Sequence, residues 1–205
     1  MVAAVRFFLE DNHRIPSMAH SLNLIVDAVL KGIPTFSNLC DDVKSIVTFF
    51  KQFENASDQL RAEQEESGKK EGEVLTLTQA VSTQWNSCLD MLERFLKLSA
   101  LVAKILATKS QSNKHTPDMV AYSELHILKD LIALLRPSKK ATEEISGEKY
   151  VTSSLAIPIW SLLRQVIDQS TPSTTLGETV RKTLLEKIDE KLVPFEKKTP
   201  FSQLQ

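Results

Sequence analysis

Apolar residues recur along this chain at intervals of three and four, the spacing that puts them on one face of a helix. The clearest stripe is Leu89, Leu92, Phe95, Leu96, Val102, Ile105 and Leu106. It follows Val81-Ser82-Thr83-Gln84-Trp85-Asn86-Ser87, where Ser82 or Thr83 can cap the first free backbone N–H groups. A buried helix is therefore expected from about Thr83 to Ala107, with a tryptophan almost at its start.

The same spacing organises the rest. Val2, Val5, Phe8 and Leu9 suit a short amphipathic helix, which Asp11-Asn12-His13 ends with turn-favouring residues. Arg14 to Ala19 reads as a brief extended segment, because Pro16 pushes Ile15 out of the helical region. Leu22, Ile25, Val26, Val29 and Leu30 form the next stripe, closed by Gly32 and Pro34. One longer helix is expected from about Ser37, carrying Leu39, Val43, Ile46, Val47, Phe50, Phe53 and Leu60 on one face. Gln64 to Glu73 holds no apolar residue and two glycines, and reads as a solvated loop. Lys109 to Pro117 is a second polar connector. Beyond it Val120, Leu125, Leu128, Leu131, Ile132 and Leu135 give a helix that Pro137 should stop or kink, with a restart from Ser138 to Gly147. Leu155, Ile159, Leu162, Leu163 and Val166 follow, with Pro158 tolerable only in the first turns. Leu176, Val180, Leu184, Ile188 and Leu192 close the series before a weakly ordered tail at 197–205.

The expected fold is mainly α, with seven to eight helices and one short strand. Composition agrees, since 5 glycines in 205 residues and few aromatics disfavour a turn-rich β architecture. A formal net charge of −1 advertises no global field for nucleic acid or membrane, so any such binding must be local. No apolar run reaches membrane length, and a soluble protein is expected. Cys40 and Cys88 lie in separate helices without metal-ligand spacing, which points to two buried free thiols in a reducing, intracellular compartment. Met1 already sits inside a helical pattern with no cap before it, as in a chain entered in mid-domain.

Candidate chemistry is sparse. Asp41-Asp42, Glu143-Glu144 and Asp189-Glu190 are neighbours in helices, so their carboxylates diverge and read as solvated faces. No phosphate loop, zinc-protease, serine-hydrolase or Cys-x-x-Cys pattern occurs, and no catalytic residue, metal site, cofactor or small-molecule substrate is nominated. His20 suits a structural histidine, bonded to backbone or to a neighbouring side chain. Arg136, Lys139 and Lys140 make a small basic cluster that either touches phosphate or simply faces a helix end. Trp160 lies within an apolar stripe and belongs to the core, whereas Trp85 is either core packing or a stacking platform for a base.

Four motifs, taken in order, carry a family resemblance: Val2-Ala3-Ala4-Val5-Arg6; Ile15-Pro16-Ser17-Met18-Ala19-His20-Ser21-Leu22-Asn23; Ser82-Thr83-Gln84-Trp85-Asn86-Ser87 with Met91-Leu92-Glu93-Arg94; and Ala141-Thr142-Glu143-Glu144-Ile145-Ser146-Gly147. In this order they resemble the middle of hAT-superfamily DNA transposases and of the BED-type zinc-finger proteins derived from them. The resemblance implies an RNase H-like α/β core with three acidic metal ligands, interrupted by a long helical insertion. It places 1–32 at the end of that core, as a helix, short strand and helix forming a short α/β remnant, and 33–205 in the insertion, with loops near 64–75 and 109–117. Two of the acids would precede Met1 and the third would follow Gln205, so the chain is expected not to be an enzyme.

The resemblance also implies a structural motif at Ser17, His20 and Asn23, and DNA-contact candidates at Trp85, Gln84, Arg136, Lys139 and Lys140. Two departures weaken the DNA role. The family has Cys at the position of Ser17 and Arg at that of Gln84, and loss of the Arg removes a guanidinium fork suited to phosphate. In the family that Arg-Trp pair handles the DNA end, where Trp stacks on an extruded base; only Trp85 carries over. The expected function is a catalytically inactive transposase-like fragment in the nucleus, keeping weak DNA contact or protein interaction. The alternative is an all-helical protein-interaction scaffold with no nucleic-acid role.

Overall fold

A computed structural model describes residues 18–81, 85–110, 115–147 and 153–198. The expected helix over Val2–Leu9, the residues Arg14–Ser17, and Ser82, Thr83 and Gln84 lie outside them. Among the described residues there are seven helices and no strand: α1 (Met18–Lys31), α2 (Pro34–Gln52), α3 (Glu54–Glu66), α4 (Trp85–Ser110), α5 (Tyr122–Gly147), α6 (Ser153–Asp168) and α7 (Thr175–Lys198).

The expected α/β remnant at the N-terminus is overturned, because Met18 and Ala19 are helical rather than extended. The physical reason is directional. Proline restricts the residue before it but leaves those after it free to enter a first helical turn. Ala19, three residues ahead of Leu22, extends the buried stripe of α1 backwards, and both are buried.

The single helix expected over 37–60 is two. Phe53 takes an extended conformation (φ −108°, ψ 96°) between α2 and α3, while its N–H still donates to Phe49 O at 3.0 Å. The Ser57 hydroxyl donates to Phe50 O at 2.5 Å across the break, a side-chain alternative to the helical ladder. Phe53 stays half-exposed and packs its ring on Phe49, with centroids 4.7 Å apart. Conversely, Pro137 neither stops nor splits α5, which runs through it as one helix.

The supposed loop from Gln64 is also corrected, since α3 continues to Glu66 and Gln64 is fully buried. Its amide donates to Leu60 O (3.0 Å) and Leu75 O (2.8 Å), and its Oε1 accepts from Leu75 N–H (3.0 Å) and Lys69 Nζ (3.0 Å). One side chain thus folds the segment after α3 back onto it. Gly68 and Gly72, at φ +91° and +88°, supply the left-handed turns that this return needs.

A continuous apolar core runs from Leu22 in α1 to Ile188 in α7. In it α4 packs against α1, α2, α3 and α5, and α5 packs against α1, α4, α6 and α7. Leu89, Met91, Leu92, Phe95, Leu98, Val102, Ile105 and Leu106 of α4 are all buried. At about 1.5–3 kcal/mol per buried large apolar side chain, this helix is a main source of stability. No helix among the described residues is long and apolar enough to cross a membrane.

Asp130 of α5 fixes the start of α7. It is 9% exposed and accepts from Ser173 N–H (3.0 Å), Thr174 N–H (2.7 Å) and the Thr174 hydroxyl (2.6 Å). Thr174 Oγ1 in turn accepts from Gly177 N–H at 3.0 Å, an N-terminal cap. A side chain at Gly177 would meet Asp130 Oδ2 at 2.7 Å, so glycine permits this approach. Burial alone would raise the Asp130 pKa, but the hydrogen bonds from Thr174 and Ser173 outweigh it and hold the pKa below its ordinary 3.8. A depressed carboxylate contributes stability above its unfolded-state pKa and loses it as pH falls through the folded-state value. Asp130→Asn should therefore cost about 1–3 kcal/mol in urea unfolding at neutral pH. That difference should shrink as pH drops below about 4; a gap independent of pH would contradict the assignment.

Candidate functional site

Of the candidate residues, Trp85, Asn23, Arg136 and Lys139 lie on α4 or bond to it. Trp85 is its first described residue and half-buried against the core. The indole Nε1–H donates to Asn23 Oδ1 of α1 at 2.8 Å. His20 is exposed, in the first turn of α1 and three residues before Asn23. The chain entering α4 is held by Ser87, whose hydroxyl accepts from Val81 N–H at 2.8 Å. Trp85 thus has one ring edge fixed on the first helix of the bundle. Ser17 and Gln84 lie outside the described residues.

The basic cluster sits on α5 and faces carboxylates of α4. Arg136 Nε bonds Glu93 Oε1 at 2.9 Å, and Lys139 Nζ bonds Asp90 and lies 3.7 Å from Glu143. Burial opposes the charge on Lys139, but the bond to Asp90 and the nearby Glu143 and Glu93 prevail, and its pKa is raised. The neighbouring carboxylates thus favour the charged lysine while largely cancelling its field. Asp90 and Glu93 stand about 8 and 12 Å along the helix axis from Trp85. Two of the three expected phosphate contacts therefore join α5 to α4, and an arriving phosphate would compete with carboxylates already in place.

Lys140 is placed differently. It lines a cavity of about 450 Å³ between α5 and α6, beside Arg136 and Glu144. The apolar wall is made by Pro137, Ile159, Leu162 and Val166, of which Leu162 (61%) and Val166 (41%) are exposed. Exposed aliphatic side chains rimmed by charge are features of a surface that docks apolar groups. Pro137 adds its ring to this wall.

Asp90 and Glu93, which neutralise the cluster, carried no signal in the chain until α4 and α5 were seen to pack. Gln64 and Asp130 were equally invisible, since each bonds backbone groups distant in sequence. Thr174, with the acidic Glu178 in the first turn after it, was a local cue to the cap that Asp130 braces. Among the described residues no group of three or more His, Cys, Asp or Glu could hold a metal ion.

A family model described as the ZBED1 RNase-like helical domain matches residues 15–134, more than half of the 205-residue chain. No curated protein and no solved structure matches it.

If the indole bond ties α4 to α1, Trp85→Phe and Asn23→Ala should each cost about 1–2 kcal/mol, with a coupling energy near 1 kcal/mol in a double-mutant cycle by urea unfolding. Additive effects with no coupling would show that the pair contributes nothing to the helix contact.

Proposed function

This chain belongs to the ZBED1 RNase-like helical domain family, and from that premise we propose that it is a catalytically inactive, transposase-derived helical module whose role is macromolecular contact in the nucleus. In the hAT transposases that the chain resembles, the catalytic acids belong to the α/β core, whereas the described residues here make helices only. The family match, over 15–134, spans the helices from α1 into α5 and holds the second and third of the four motifs.

Protein contact is the better-supported form of that role. The observation that carries it is the commitment of the DNA-contact candidates to internal partners: Trp85 to Asn23, Arg136 to Glu93 and Lys139 to Asp90. Each of these polar groups already serves a helix–helix contact. The groove between α5 and α6, with Leu162 and Val166 open to solvent, suits the apolar face of a partner's helix. Weak DNA contact is the second reading, favoured by Lys140 and Arg136 together at the rim of that groove. Ancestry also favours it, through the position of Trp85.

Titration with single- and double-stranded oligonucleotides over a salt series separates the two. The expected result at about 150 mM salt is no saturable binding, and with magnesium or manganese no strand cleavage. Salt-sensitive affinity lost in Lys140→Ala or Trp85→Ala would establish the DNA reading instead. Metal-dependent cleavage abolished by one carboxylate substitution would overturn the inactive assignment.

A further inference from the structure

Cys40 of α2 and Cys88 of α4 are 48 residues apart in sequence, yet their sulfurs lie 3.2 Å from each other as free thiols. They are the chain's 2 cysteines. Cys40 is buried and Cys88 half-buried, so a small oxidant reaches Cys88 first. We propose that Cys40 and Cys88 form a reversible redox pair, oxidised by peroxide to a disulfide that staples α2 to the start of α4.

The surroundings divide the labour between the two sulfurs. The two sulfurs share a hydrogen bond that, with burial, pushes the Cys40 pKa up; the same bond, against burial, holds the Cys88 pKa below its ordinary value. Lys44, one turn beyond Cys40, also favours the Cys88 thiolate, against the nearby Asp41 to which Lys44 is paired at 3.1 Å. Cys88, the more accessible of the two, is the attacking sulfur and Cys40, buried behind it, the resolving one.

The Cys88 thiolate attacks one oxygen of hydrogen peroxide and the O–O bond breaks. Hydroxide leaves and takes up a proton as water, and Cys88 becomes a sulfenic acid. The Cys40 sulfur, losing its proton, then attacks the Cys88 sulfur, and the S–O bond breaks to release a second water. Two thiols are oxidised by two electrons, and one peroxide is reduced to two waters. The sulfurs must close by roughly 1 Å to reach a covalent S–S length of about 2.0 Å, within reach of side-chain rotation. Cys88 lies one turn after Trp85, so the disulfide would lock the helix start that Trp85 and Asn23 hold by a hydrogen bond.

The intact protein is treated with hydrogen peroxide and followed by thiol counting after denaturation, by intact mass and by non-reducing peptide mapping. Both thiols should disappear together in a monomer lighter by two hydrogens, with a Cys40–Cys88 cross-linked peptide pair and full reversal by a dithiol. The thermal midpoint should rise by about 5–10 °C, as expected for closing a loop of this length. In Cys40→Ser, with folding checked by circular dichroism, Cys88 should stop at the sulfenic acid and be trapped by a dione probe. Should that variant not fold, the wild-type mass and peptide map decide alone. Over-oxidation of Cys88 with Cys40 still a thiol, disulfide-linked dimers alone, an unchanged midpoint, or no reaction at either thiol would each overturn the proposal.

Discussion

The structure depends on α4 burying a wide arc of its surface against two groups of helices at once. On one side it meets α2 and α3, and on the other α5, which carries α6 and α7. α1 touches members of both groups and closes the bundle. Several of its polar side chains serve as links to other helices: Trp85 to α1, Cys88 to α2, Asp90 and Glu93 to α5, and Lys104 to Glu63 of α3 at 2.5 Å. Most such pairs are solvent-exposed and weak individually. Their value lies in fixing helix register, which an interchangeable set of Leu and Ile contacts specifies poorly.

The same constraint acts on the residues that carry the family resemblance. The motif order pointed to a transposase-like helical domain, and the family match shows membership of the ZBED1 RNase-like helical family. Yet Trp85 is bonded to Asn23 within the bundle, and Lys139 and Arg136 pair with acids of α4. An interface for polyanions works through uncancelled cations. The groove between α5 and α6 offers aliphatic surface instead, which is the basis of the proposed protein contact.

Much of the fold was legible in the chain, where a stripe of apolar residues repeats without interruption. The helices around Leu22–Leu30, Leu89–Leu106 and Val180–Ile188 follow from periodicity alone, because each buries the face that its spacing defines. Periodicity failed where a single polar contact competed with it. It carried a helix straight through Phe53, where the Ser57 hydroxyl takes the Phe50 carbonyl, and it placed Gln64 in solvent, where backbone groups from a distant turn satisfy its amide. It also carried the extended segment at Pro16 too far, since proline restricts the residue before it and not those after, and it overvalued Pro137, which α5 runs through as one helix. The candidate site was legible only as a set of residues; their pairing with Asn23, Asp90 and Glu93 is a property of the packing.

The central claim, that the Trp85 region is architectural, is tested most directly by native-state hydrogen exchange on the wild type and on Trp85→Phe. The account predicts that removing one indole N–H lowers amide protection in α1, more than fifty residues away in sequence, as well as in the first turn of α4. Loss of protection confined to α4, with α1 unchanged, would contradict it.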